Sequence, residues 1–346
     1  MEELLRKRQI QFRAAGAVMF SVAAGLSIAR IISSLISDKL SPTLSDVIFT
    51  LTTQAVFLLI IPFLIYKFSL KKSFTGVMRL SSVRKPDFRV MLLCVPLGVC
   101  CLIATMGVST VWAVILEMLG FKYPAGGSSY PATFSVWLLL LNIVLTGVFP
   151  GVCEEFANRG GFLTTMRGSF NEAQTIVICG LAFGLFHQNV TQVFYTFLFG
   201  MLMAALVIKT KSIFPAILVH FLNNSISVYL DFASVYSLPL GNFFDSVNYL
   251  LANYFIVAVI LWMAVIGIGV GIFILIMRLS NKNAAKNRDN DNGVKIVEAE
   301  GESLEGEALP LEDTLLYKPV ARDWAFYIGA LVITFITTFC TFFWGL

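Results

Sequence analysis

FSVWLLLLNIVLTGVFPGVCEEFANRGG (134–161) begins as an almost unbroken apolar run and ends in Glu154, Glu155, Asn158 and Arg159. At about 1.5 Å rise per residue, some twenty apolar residues cross the roughly 30 Å of a bilayer's hydrocarbon. The run therefore reads as a transmembrane helix over 134–158. A charged side chain inside hydrocarbon costs at least about 2.5 kcal/mol, so ionisable groups in such a helix are functional candidates by default. One stretch thus makes two points. The bilayer is the solvent for this fold, and polar chemistry sits inside it.

The flanking sequence has the same character. The chain of 346 residues is 57% hydrophobic and 13% charged, against about 25% charged in a soluble domain. Apolar spans recur near 14–36, 44–66, 90–117, 134–158, 173–188, 191–208, 212–231, 249–277 and 323–345. The fifth and sixth are short and closely joined, so eight is the alternative count to nine. The expected fold class is an all-α, polytopic helical membrane protein with eight or nine transmembrane helices. Lysine and arginine fall in alternate loops: Arg6, Lys7, Arg8 and Arg13, then 67–89, then Arg159 and Arg167, then Lys209 and Lys211, then 278–288. Cytoplasmic loops carry that excess, which puts the N-terminus in the cytoplasm.

The charged opening, MEELLRKRQIQFR, has no small-residue cleavage site after it, so no removable signal peptide is expected. Six cysteines lie in or beside apolar spans without C-x-x-C spacing and read as small buried apolar residues. Residues 279–321 are polar and acidic, a composition unable to bury enough apolar surface to fold alone. The expected organisation is a helical membrane domain over 1–278 with a catalytic core near 130–232, a disordered acidic cytoplasmic linker over 279–321, and a C-terminal transmembrane helix over 322–346. Arg30, near the end of the first span, is expected to snorkel or pair.

The intramembrane polar residues form three clusters: GVCEEFANRGG, GLAFGLFHQN with His187, and PAILVHFLNNS with His220, Asn223 and Asn224. The chain has two histidines, and both lie in these clusters. Glu155 and Arg159 share a helix face at i,i+4, as do His220 and Asn224. Phe183 lies four residues before His187 and is placed to pack beneath its ring. With Arg167, Asn171 and Lys211 marking the inner surface, Glu154 lies roughly 20 Å deep, His187 roughly 24 Å, His220 roughly 14 Å and Asn224 roughly 20 Å. The four can meet near mid-membrane if the fourth helix runs on to about Arg167. Pro150 is placed to kink that helix, and Gly160-Gly161 to allow close packing.

Such a set suits hydrolysis of a peptide bond. A desolvated carboxylate beside an imidazole activates water, while a second imidazole and an amide stabilise the oxyanion. The same Glu154, His187 and His220 are alternatively zinc ligands, which makes the cofactor either zinc or none. No H-E-x-x-H is present.

EEFANR (154–159), FGLFH (183–187) and HFLNN (220–224) resemble the E-E-x-x-x-R, F-x-x-x-H and H-x-x-x-N motifs of the CPBP family of intramembrane proteases. That family includes CAAX prenyl protease 2 and lysostaphin resistance protein A-like proteins, the Abi domain. The resemblance spans roughly 130–232. It implies that Glu154 and His187 activate water, that His220 and Asn224 form the oxyanion hole, and that Glu155 pairs with Arg159. Asn158 departs from the pattern, which usually has a large apolar residue there. The implied function is an intramembrane endopeptidase acting on a membrane-associated substrate, of prenylated CAAX or leader-peptide type. A metalloprotease and a metal-free glutamate mechanism both remain open. The competing functions are a non-catalytic membrane adaptor or immunity protein on the same fold, and a proton-coupled transporter. The expected partners are the lipid bilayer and a peptide or lipidated protein, with no nucleic acid. The expected location is the plasma membrane.

Overall fold

The computed structural model describes residues 1–123, 131, 133–291 and 316–344. Among these the chain is helical without strands: α1 Glu2–Ile36, α2 Pro42–Ser69, α3 Phe74–Leu80, α4 Phe88–Met118, α5 Val136–Met166, α6 Glu172–Phe186, α7 Val190–Thr210, α8 Phe214–Tyr236, α9 Gly241–Asn253, α10 Phe255–Asp291 and α11 Ala325–Trp344. The protein is an all-α polytopic membrane protein. Seven helices are long and apolar enough to cross a membrane on their own: α1, α2, α4, α5, α7, α10 (through Lys282) and the segment Ala321–Phe343. α6 is apolar but has only 15 residues. α8 carries His220, Asn223, Asn224 and Asp231, which lower its hydropathy. Both fill places expected for spans.

Two boundaries differ from expectation. The span expected at 249–277 is broken near Tyr254 into α9 and α10. α10 then continues to Asp291, into the stretch read as linker, while residues 292–315 of that linker lie outside the described residues.

Small residues set the closest approaches around the site. Without a hydrophobic force between helices in lipid, packing contacts and hydrogen bonds hold them together, and small residues bring backbones close. Gly180 and Gly184, one turn apart on α6, face α7. A Cβ on Gly184 would sit 2.7 Å from the Val193 carbonyl oxygen, and one on Gly180 would sit 2.8 Å from that of Phe197. On α5, a Cβ at Gly161 would meet the Tyr66 ring at 2.3 Å. α5 contains two π-helical turns, Ile143–Val148 and Phe156–Phe162, and α2 contains one, Leu51–Ile60. Such turns are common at functional sites because they re-aim side chains. Here they bracket Glu154 and carry Gln54.

The C-terminal segment is tied to α1. Arg13 Nε donates to Asp323 Oδ1 at 2.7 Å, and Gln9 Nε2 does so at 3.2 Å. Asp323 also accepts from the Tyr317 hydroxyl and from the Val320 backbone N–H. Phe12, Trp324 and Tyr327 stack beside this carboxylate, and the Tyr327 hydroxyl donates to the Phe12 carbonyl.

Candidate active site

α5 runs on to Met166, the condition under which the depth estimates bring the three clusters together. On α5, Glu154 is partly exposed and Glu155 fully buried. Glu155 Oε1 is shared. Arg159 donates to it through one terminal nitrogen at 3.0 Å, and His220 Nδ1 lies 2.8 Å away. A carboxylate oxygen only accepts, so His220 carries a hydrogen on Nδ1. The other terminal nitrogen of Arg159 donates to the Gly200 carbonyl at 3.1 Å, and the guanidinium lies over the Phe183 ring at 4.2 Å. The Phe183 ring is also edge-on to both imidazoles, 5.0 Å from His187 and 5.7 Å from His220. The packing of Phe183 beneath His187 is therefore observed, and the same ring spans all three clusters.

Glu154 faces a cavity of roughly 120 Å³, several times what one water needs. His187 lines the same cavity, with Arg30, Thr53, Gln54, Asn158 and Gln192 as its other polar residues. His187 Nδ1 lies 2.8 Å from the Phe183 carbonyl. A carbonyl cannot donate, so Nδ1 bears the hydrogen, and in the neutral ring Nε2 then keeps its lone pair. His220 Nε2 stands 3.9 Å from Glu154 Oε2. Glu154, His187 and His220 are thus brought together.

Asn224 is not turned to the cavity. Its Nδ2 donates to the Thr146 carbonyl at 2.9 Å, and its Oδ1 accepts from Asn223 Nδ2 at 3.0 Å. The cause lies in α5. Pro150 has no N–H to give to the carbonyl four residues back, and Asn224 supplies a donor instead. Asn223 in turn accepts from the Thr105 hydroxyl at 3.4 Å. Both amides knit α4, α5 and α8 together. The oxyanion donor that the resemblance assigns to Asn224 is engaged elsewhere in this arrangement.

Among the described residues no three His, Cys, Asp or Glu side chains group closely enough to hold a metal ion. His187 and His220 bond the protein through Nδ1, and Glu154 Oε1 accepts from Gln54 Nε2 at 2.8 Å, bonds of the kind that also orient metal-ligating groups. The six cysteines are free.

Gln54 is a site residue that motif reading misses. Its amide holds one oxygen of Glu154, and its own Oε1 is buried without a partner. The signal was a neutral amide within the apolar run LTTQAVFLLI, weaker than an ionisable group. Asn158, flagged by sequence as a departure, lines the cavity and returns Nδ2 to the Glu154 carbonyl at 3.0 Å. Arg30, expected to snorkel or pair, bonds the carbonyls of His187 and Gln188 and lines the cavity.

Residues 136–226 match the family model described as Type II CAAX prenyl endopeptidase Rce1-like. That segment is similar to the Rce1-like family. It holds all three motifs, from Glu154 to Asn224, and covers about a quarter of the chain. No curated protein and no solved structure matches the chain. Arg30 and Gln54, which complete the cavity, lie outside the Rce1-like segment.

Proposed function

We propose that the protein is an intramembrane endopeptidase that hydrolyses a peptide bond in a membrane-associated substrate of the CAAX type. The observation that carries this reading is that Glu154 and His187, from separate helices, face one cavity with room for water. A carboxylate fixed by Gln54 takes one proton from water, while His187 Nε2 accepts a hydrogen bond from the O–H that the resulting hydroxide keeps. The hydroxide adds to the scissile carbonyl. As the C–N bond breaks, the proton held by Glu154 passes to the leaving nitrogen. Glu155 and Arg159 hold His220 with Nε2 toward Glu154. The residues present supply this step without a metal. The segment's family carries the substrate class, a prenylated C-terminal peptide, and a leader peptide is the other substrate to try.

The test is turnover of a farnesylated peptide by purified protein in lipid vesicles, with products identified by mass spectrometry. Glu154→Gln should lose at least about 100-fold in rate with unchanged elution and thermal stability. Retained turnover in that variant, or no cleavage of prenylated or leader peptides by the wild type, rejects the reading.

A further inference from the structure

Arg30 is the charged cavity residue that the proposed reaction leaves unused. One terminal nitrogen donates to the His187 carbonyl at 2.5 Å and the other to the Gln188 carbonyl at 3.0 Å. These carbonyls close the C-terminal end of α6, where helix carbonyls lack partners. Gln188 has φ +46° and is itself clamped to α1, its Nε2 donating to the Ala23 carbonyl and its Oε1 accepting from Ser27. The guanidinium is therefore held firmly at the cavity wall.

Capping alone does not explain a charge here. Neutral donors satisfy carbonyls equally well, whereas a guanidinium stays protonated and is costly inside a span. Among the described residues no carboxylate lies within ion-pair distance of Arg30. Glu154 shares the cavity, but it is beyond that distance and is bonded by Gln54. The guanidinium has five N–H donors, and only two of its bonds are accounted for. Leu26, Phe49 and Phe186 are among the apolar residues of the same cavity. An anion entering this cavity meets repulsion from Glu154 and attraction from one fixed cation.

We propose that Arg30 anchors a carboxylate carried by the substrate a few residues from the bond that is cut, an assignment that rests on the peptidase reading above. The guanidinium is bonded to the backbone of His187, a residue that lines the same cavity as Glu154. At about 3.5 Å per extended residue, a carboxylate on Arg30 thus lies only a few residues from the attacked carbonyl. The carboxylate is either the chain terminus or an acidic side chain.

Three farnesylated peptides test this, identical except at the end: a free C-terminal acid, a C-terminal amide, and an amide whose last residue is Glu. Wild-type kcat/KM should favour the acid over the plain amide by about tenfold or more, through KM. Arg30→Gln keeps donors for the two carbonyls but removes the charge, so the preference should vanish. Arg30→Lys should keep part of it. A Glu-ended amide cleaved like the acid assigns the site to any nearby carboxylate. One cleaved like the plain amide assigns it to the chain terminus. A variant that merely loosened the end of α6 would slow all three peptides equally and leave the preference in place. That result, or equal wild-type rates on acid and amide, overturns the assignment and leaves the peptidase reading standing. Wild-type cleavage of none of the three removes both.

Discussion

Replacing Arg159 by Met tests the buried charge network with little change in volume. Both Arg159 and Glu155 are fully buried, 3.0 Å apart, and Glu155 Oε2 already lacks a partner. Removing the cation strands a carboxylate between helices with only His220 to bond it. Losing one partner of a buried pair costs about 3–5 kcal/mol, because the remaining charge is uncompensated. At about 2–4 °C per kcal/mol for a chain of this order, the midpoint should fall by roughly 6–20 °C. The assay is thermal unfolding of purified protein in one detergent, followed by intrinsic fluorescence. Glu155→Gln combined with Arg159→Met removes both charges and should recover at least half of that loss, since apolar replacement of a whole buried pair is often close to neutral. A single variant within about 1 kcal/mol of wild type refutes the reasoning. So does a double variant as unstable as the sum of its singles, because the two charges would then not be coupled.

Gln54→Leu frees one oxygen of Glu154 and should lower kcat by about 10- to 100-fold with KM little changed, read from initial rates on the farnesylated acid peptide. Gly184→Val drives a side chain into the Val193 carbonyl, 2.7 Å from where its Cβ would sit, and should cost about 1–3 kcal/mol in thermal unfolding while displacing His187 and slowing turnover. Asn224→Ala leaves the Thr146 carbonyl without its donor and should cost about 1–3 kcal/mol, measured in the same unfolding assay. Asp323→Ala removes an acceptor shared by Gln9, Arg13, Tyr317 and Val320 and should lower the unfolding midpoint, with the C-terminal segment becoming the first site of limited proteolysis.

The helical membrane architecture was legible because hydrocarbon imposes long apolar runs that few other folds tolerate. The clustering of Glu154, His187 and His220 was legible for the complementary reason. An ionisable group in such a run is expensive, so each one marks itself. What the sequence did not show depends on side chains meeting across helices. Gln54 is a neutral amide among threonines, and only the π-helical turn of α2 beside α5 places it on Glu154. The i,i+4 spacing of His220 and Asn224 correctly placed both on one face of α8. It did not reveal that Pro150, on another helix, leaves a carbonyl that Asn224 fills. Arg30 was expected to snorkel or pair, but spacing along the chain could not name its partners, the carbonyls of His187 and Gln188. The zinc alternative named residues that do meet, but spacing along the chain carries no information about whether three donors come close enough to share one ion.

The central claim is that Glu154 and His187 act on one water as a unit. Its most direct test is a double-mutant cycle on kcat with Glu154→Gln, His187→Ala and the pair, using the farnesylated acid peptide. Residues that act as a unit are non-additive, so the double variant should be no slower than the slower single, within about threefold. Losses that multiply would mean that the two side chains serve separate events, and near-wild-type kcat in either single variant would contradict the claim outright.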